Sequence, residues 1–214
     1  KPLLGDDEIK QVGKVIKSGW VTQGKEVQAF ENEFKEYVNT KYAIALSSCT
    51  AALHLALKVV GVDYDDEVIT VSHSYIATAN SIRYCGAIPV FIDIEPNSFN
   101  MNPELIKPAI SKKTKAILCV HQIGMPCDLS SIIAIGKEYN IPVIEDAACA
   151  VGSEIKLTSK WEKIGKPHGD LACFSFHPRK LITTGDGGMI TTNNKNYDKK
   201  IRLWRQHAIS IDSL

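Results

Sequence analysis

The chain has 214 residues, 44% of them hydrophobic and 23% charged, with a net charge of +1. That composition suits a soluble globular protein with a real core, built as one large domain or two small ones. The near-neutral charge gives no electrostatic case for nucleic acid or an anionic membrane, and no apolar run is long enough to cross a bilayer.

In chain order, residues 6–17 and 25–38 predict two amphipathic helices. Ile9, Val12, Val15 and Ile16 share one face of the first; Val27, Phe30, Phe34 and Tyr37 form the buried side of the second. Tyr42–Leu46 reads as a strand, and Ser47-Ser48-Cys49-Thr50 opens an Ala/Leu-rich helix over 50–60 that Gly61 ends. Val68–Val71 is a short strand, Tyr75–Cys85 a helix stopped by Gly86, and Ile88–Ile92 a strand followed by the turn Glu95-Pro96-Asn97. Pro103 marks a helix start. Then come a strand at Ala116–Val120, a helix over 129–139, a strand from Val143 that ends in a carboxylate, an exposed excursion over 156–169, strands at Leu171–Phe174 and Met189–Thr192, and a helix over 196–207.

Short apolar strands separated by helices predict an α/β fold with a mostly parallel sheet covered on both faces. Ligands of such sheets bind beyond the carboxyl ends of the strands. Ser48, Ser72, His121, Asp146 and Ser175 stand at those ends and are expected to converge on one crevice. The six cysteines (Cys49, Cys85, Cys119, Cys127, Cys149 and Cys173) include no C-x-x-C pair and mostly lie in apolar runs. Reduced, buried thiols in a cytoplasmic protein are therefore expected.

Two segments carry chemistry. Val143-Ile144-Glu145-Asp146-Ala147-Ala148 ends a buried strand on a carboxylate. Cys173 to Gly188 places Lys180 between an apolar run and the glycine-rich Thr183-Thr184-Gly185-Asp186-Gly187-Gly188. A strand-end Asp and a later loop Lys are the groups needed to hold pyridoxal phosphate (PLP): one pairs with the pyridinium nitrogen, the other bonds to the aldehyde carbon. Each has a plainer reading. Asp146 also suits a helix N-cap, and most lysines are solvated surface groups. Ser48-Cys49-Thr50 before a helix favours a phosphate, with Ser175 adding a hydroxyl, though a simple cap reads the same way. Tyr75 is placed to stack on a cofactor ring or to serve as a core aromatic. Cys119-x-His121-x5-Cys127 is not a zinc spacing. Cys49 and His54, five apart on one helix, make a poor nucleophile–base pair.

Five motifs in one order carry a family resemblance: Ser-Ser-Cys-Thr-Ala-Ala-Leu-His-Leu-Ala (47–56), Tyr-Ile-Ala-Thr-Ala-Asn (75–80), Gly-Ala-Ile-Pro-Val-Phe-Ile-Asp (86–93), Val-Ile-Glu-Asp-Ala-Ala (143–148) and Ser-Phe-His-Pro-Arg-Lys (175–180). The chain resembles the DegT/StrS-type sugar aminotransferases, PLP enzymes of fold type I, from Trp20 to His207. The resemblance implies the large domain of that fold, a seven-stranded-type sheet between helices. It matches Lys180 to the lysine that carries the cofactor and Asp146 to the partner of the ring nitrogen. Tyr75 matches the stacking aromatic, Cys49, Thr50 and Ser175 the phosphate site, and Thr22 and His177 substrate contacts. Cys149 falls beside the cofactor's phenolic oxygen, where Gln or His is commoner. The implied reaction moves an amino group from glutamate to a nucleotide-linked keto-sugar, in a homodimer, for surface glycans or related metabolites.

Residues 1–40 are expected to form an N-terminal helical segment and 41–214 the PLP-binding domain. A family C-terminal domain is expected to be missing, and the start at Lys1 without Met agrees with a fragment. Two alternatives remain: a sugar dehydratase of the same family, whose members replace the lysine by histidine, and a non-catalytic relative.

Overall fold

A computed structural model describes residues 2–208; Lys1 and residues 209–214, the outer ends of the two expected segments, lie outside the described residues. The first helix, α1 (Asp6–Ser18), has Asp6, Asp7 and Glu8 in its first turn, where they complement the helix dipole. None of its residues is buried, so the face carrying Ile9, Val12 and Ile16 lies open. In α2 (Lys25–Val38) the buried residues are Glu31, Phe34 and Val38. Tyr37, expected on the buried side, instead faces out, with the Lys163 ammonium 5.0 Å from its ring centroid. Phe34 packs edge-to-face on Phe174 and Phe176, at 5.1 and 5.7 Å between centroids.

Glu31 is the polar anchor of that helix. It accepts the Ala45 amide at 2.9 Å, pairs with Arg202 at 2.7 Å, and also takes Arg205. A buried carboxylate needs such partners. Glu31→Ala is expected to destabilise by about 3 kcal/mol, since Arg205 would be left buried without a counter-charge. Urea melts of both proteins measure this, and a change below about 1 kcal/mol would mean the cluster is solvated.

The strands and helices that follow are β1 (Tyr42–Leu46), α3 (Cys49–Val59), β2 (Glu67–Val71), α4 (Ile76–Tyr84), β3 (Ile88–Ile92), α5 (Ile106–Ala109), β4 (Thr114–Val120), α6 (Leu129–Tyr139), β5 (Val143–Asp146), β6 (Glu154–Ile155), β7 (Glu162–Lys163), β8 (Leu171–Ser175), β9 (Gly188–Thr192) and α7 (Lys195–Trp204). Seven strands form one sheet in the order β1-β9-β8-β5-β4-β2-β3, and β9 alone runs against the rest. The expected excursion is more structured than its composition implied. It holds β7, which pairs antiparallel with β6 just before it, and Ile164 is fully buried in the core. The final helix stops at Trp204 instead of running to 207, and His207 and Ala208 adopt positive φ, which no α-helix continues through.

Side-chain alternation splits the sheet between two cores. Ile69, Ile117, Cys119, Val143, Ala172 and Phe174 face α2, α5 and α6. Val68, Ala116, Leu118, Ile144, Leu171 and Cys173 face α3, α4 and α7. A strand buried on both sides needs continuous apolar runs, which is how these strands read.

Candidate active site

The carboxyl ends of β1, β8, β5, β4, β2 and β3 and the amino end of β9 share one edge. Asp146 closes β5 there, on the α3/α4 side of the sheet. Its side chain is buried, accepts the Thr78 hydroxyl at 2.7 Å, and accepts the Ala148 amide at 3.2 Å. Burial pushes the carboxyl's pKa up, against the pull of Thr78, the Ala148 amide, His121 and Lys180. A buried carboxylate in this state lacks sufficient positive charge. Thr78 went unread in the sequence, although it lies within the 75–80 motif, three residues past Tyr75.

Ser48 caps α3: its hydroxyl accepts the Ala51 amide at 3.1 Å. Helix geometry leaves the Cys49 and Thr50 amides without an intrahelical partner, at the positive end of the dipole. Burial, then Asp146 and Cys173, raise the Cys49 thiol well above its ordinary value. It stays protonated, which removes the Cys49–His54 nucleophile. Ser175 ends β8 opposite Gly188 of β9, and its hydroxyl accepts the His177 amide at 3.4 Å.

Gly188 is a close-approach glycine. A Cβ there would lie 2.4 Å from the carbonyl carbon and oxygen of Ser48 and 2.6 Å from the Cys49 nitrogen. All three are backbone atoms and cannot swing aside. Gly188→Ala is expected to cost about 2 kcal/mol and to displace the α3 cap. Thermal melts and PLP titration together measure it; an unchanged pair of values would mean the two segments are free to part.

Lys180 lies on the loop between β8 and β9. That loop is tied at its neck, where the Phe176 amide donates to the Gly187 carbonyl at 2.9 Å and the Thr184 amide to the Phe176 carbonyl at 3.1 Å. Inside it, the Lys180 amide donates to the His177 carbonyl at 2.8 Å, and Gly185 takes a φ of 88° that favours glycine. The Lys180 ammonium donates to Cys149 Sγ at 3.1 Å, and its charge is felt by both Asp146 and Cys49. Lys180, Cys149, Asp146 and Cys49 thus share one neighbourhood.

Other expected members stand differently. Tyr75 is the N-cap residue of α4 and is largely exposed. His177 is exposed, and its Nδ1 accepts the Arg179 amide at 3.2 Å. Thr22 is exposed on the loop between α1 and α2, with no hydrogen bond to the cluster among the described residues. Ser72 is exposed at the end of β2. His121 does not join the crevice. It turns to the opposite side of the sheet, where Nε2 lies 3.1 Å from Glu145 Oε2 and Nδ1 lies 3.2 Å from Cys127 Sγ. Burial opposes its protonation, but Cys127 and Glu145 outweigh that and push its pKa up to about 10. Glu145 Oε1 accepts the His168 and Gly169 amides at 3.1 and 2.8 Å. Two hollows of about 320 and 370 Å³, both touching Ile133, Lys137 and His168, lie by the amino ends of β5 and β8, away from this chemistry. Among the described residues no cluster of three or more metal-ligating side chains occurs, and no helix is long and apolar enough to cross a membrane.

Over residues 2–213 the chain matches the DegT/DnrJ/EryC1/StrS aminotransferase family. It is 43% identical to the spore coat polysaccharide biosynthesis protein SpsC of Bacillus subtilis, across 98% of this chain and 52% of SpsC. Its fold superposes on an aminotransferase from Psychrobacter cryohalolentis with a TM-score of 0.91 at 36% identity, covering 98% of this chain and 53% of that one. NtdA of Bacillus subtilis, solved with bound cofactor PMP, gives 0.85 at 34% identity, covering 94% and 45% respectively. The chain spans about half the length of the curated relatives it matches.

Proposed function

Because the chain belongs to the DegT/DnrJ/EryC1/StrS aminotransferase family, we propose that it carries the cofactor-binding part of a PLP-dependent sugar aminotransferase. The amino donor is glutamate and the acceptor a nucleotide-linked keto-sugar, used for surface glycans or related metabolites. The observation that carries this reading is the placement of buried Asp146, held by Thr78 and the Ala148 amide, on the same edge of the sheet as Lys180, whose ammonium contacts Cys149. A protonated ring nitrogen supplies the positive charge that Asp146 lacks, so the residues fit PLP.

PLP, when bound, supplies an electron sink for the bonding electrons of the substrate's Cα–H bond. Asp146 holds the proton on the ring nitrogen, and Thr78 fixes the carboxylate's orientation. Lys180 would hold the cofactor through its aldehyde carbon. Its ε-amine, when free, would take the proton from the substrate's α-carbon and pass it to the cofactor's former aldehyde carbon. The Cys49 and Thr50 amides and the Ser175 hydroxyl bind the phosphate. Tyr75 would flank the ring, Cys149 would lie beside its phenolic oxygen, and Thr22 and His177 would contact the sugar substrate. We assign residues 1–40 to a helical segment and 41–214 to the PLP-binding domain of a cytoplasmic homodimer, whose free cysteines suit a reducing compartment.

The test uses the full-length protein. Glutamate and a nucleotide-linked keto-sugar should give 2-oxoglutarate and the amino sugar in equal amounts. Loss of a sugar hydroxyl without amino transfer, or no PLP absorbance at all, would overturn the reading.

A further inference from the structure

Cys149 stands apart from the other thiols. Cys49, Cys85, Cys119, Cys127 and Cys173 are buried, whereas Cys149 is exposed and lies 3.1 Å from the Lys180 nitrogen. Both partners sit on fixed backbone. The turn holding Cys149 is closed by an Ala150 amide to Ala147 carbonyl bond of 2.9 Å. Behind it, Gly124 approaches so closely that a Cβ there would lie 2.8 Å from the Cys149 carbonyl oxygen. The Lys180 loop is tied at its neck by Phe176, Thr184 and Gly187.

The geometry points to a reversible oxidative cross-link, in which a peroxide joins Cys149 Sγ to Lys180 Nζ as a sulfenamide. In the first step the thiol takes one oxygen atom from hydrogen peroxide, giving sulfenic acid and water. Sulfur is oxidised and the peroxide O–O bond breaks. In the second, the lone pair of the unprotonated ε-amine attacks that sulfur. The S–N bond forms, the S–O bond breaks, and hydroxide leaves with the amine's proton as a second water. The sum is one thiol, one amine and one peroxide giving one sulfenamide and two waters. Two equivalents of a reducing thiol restore Cys149 and Lys180 and leave as a disulfide. Capture by an amine already in contact competes with further oxidation of the sulfenic acid, which is irreversible. Five buried thiols lack the access that the first step requires.

The bond formation rests on the Cys149–Lys180 contact alone; its effect, loss of the cofactor-binding amine, rests on the proposed function. The full-length protein is treated with hydrogen peroxide, once stripped of cofactor and once loaded with PLP, then digested and mapped by mass spectrometry without reductant. In the stripped protein the expected product is the peptide of Cys149 joined to that of Lys180, two hydrogens lighter than the reduced pair and released by dithiothreitol. PLP-binding capacity, read by absorbance, falls in proportion to the cross-linked fraction and returns on reduction. Cys149→Ser and Lys180→Arg each abolish the joined peptide. Cys149 recovered as unlinked sulfinic or sulfonic acid, or unmodified under conditions that oxidise a free thiol, overturns the cross-link. A joined peptide that forms equally in the PLP-loaded protein leaves the cross-link standing and overturns Lys180 as the cofactor lysine.

Discussion

Lys180→Ala in the full-length protein is expected to lose the near-visible absorbance of lysine-bound PLP and to lower kcat by about 10⁴-fold, the upper range for removing a positioned acid–base group. The expectation follows from placement. Lys180 is the lysine on a loop tied at its neck, whose charge reaches Asp146 and Cys49, and it already contacts Cys149. The variant should remain folded, because the residue stands on an exposed loop and its ammonium bonds only to the Cys149 sulfur among the described residues. Far-ultraviolet circular dichroism and single-turnover rates with glutamate separate the two effects. A variant retaining a tenth or more of the wild-type single-turnover rate would mean the proton is moved by another group.

Asp146→Asn should separate stability from catalysis. Asparagine can keep both hydrogen bonds, with its oxygen accepting the Ala148 amide and its nitrogen donating to the Thr78 hydroxyl. It removes a buried charge. Burial raises the folded carboxyl's pKa, so the folded chain holds this proton more tightly than the unfolded one. Asp146 therefore contributes stability at pH values below the ordinary carboxylate range, and that contribution is lost as pH rises through the folded value. The variant, free of this loss, should gain on wild type in the cofactor-free protein as pH rises above the ordinary carboxylate range, the gain levelling off once the folded carboxyl has ionised. Catalysis should move the other way, with kcat lower by about 10²- to 10³-fold, as when one preorganised electrostatic partner is removed. PLP should raise the melting temperature of wild type more than that of the variant. Equal PLP-induced shifts would mean that Asp146 does not face the ring nitrogen.

Much of this architecture was legible because a strand buried on both faces must be apolar along its whole length. Val68–Val71, Ala116–Val120 and Leu171–Phe174 announce themselves in that way, and the intervening amphipathic runs close the helices over them. What escaped depends on contacts between segments far apart in sequence. Thr78 gains its role only when α4 is laid against β5, 68 residues away. Gly188 reads as a flexible loop residue until β9 is seen pressed on the Ser48 carbonyl. Ile164 sits in a polar stretch, and only the β6–β7 hairpin explains its burial. His121 was misplaced for a different reason. Alternation places strand-end side chains only while the pleat lasts, but Val120 already packs in the same core as Cys119, so the expected face for His121 no longer holds.

The one-residue step from Glu145 to Asp146 has a wider consequence. Adjacent acids, one methylene apart in length, answer to opposite layers: Glu145 to His121 and two amides, Asp146 to Thr78 and the reacting edge. Deleting a single amino acid just before this pair would trade their addresses, sending the longer acid to the α3/α4 side of the sheet and the shorter one to the side of the His121 imidazole. Insertions and deletions in β5 should therefore be tolerated only in twos, a constraint that homologue lengths between Pro142 and Ala147 would record.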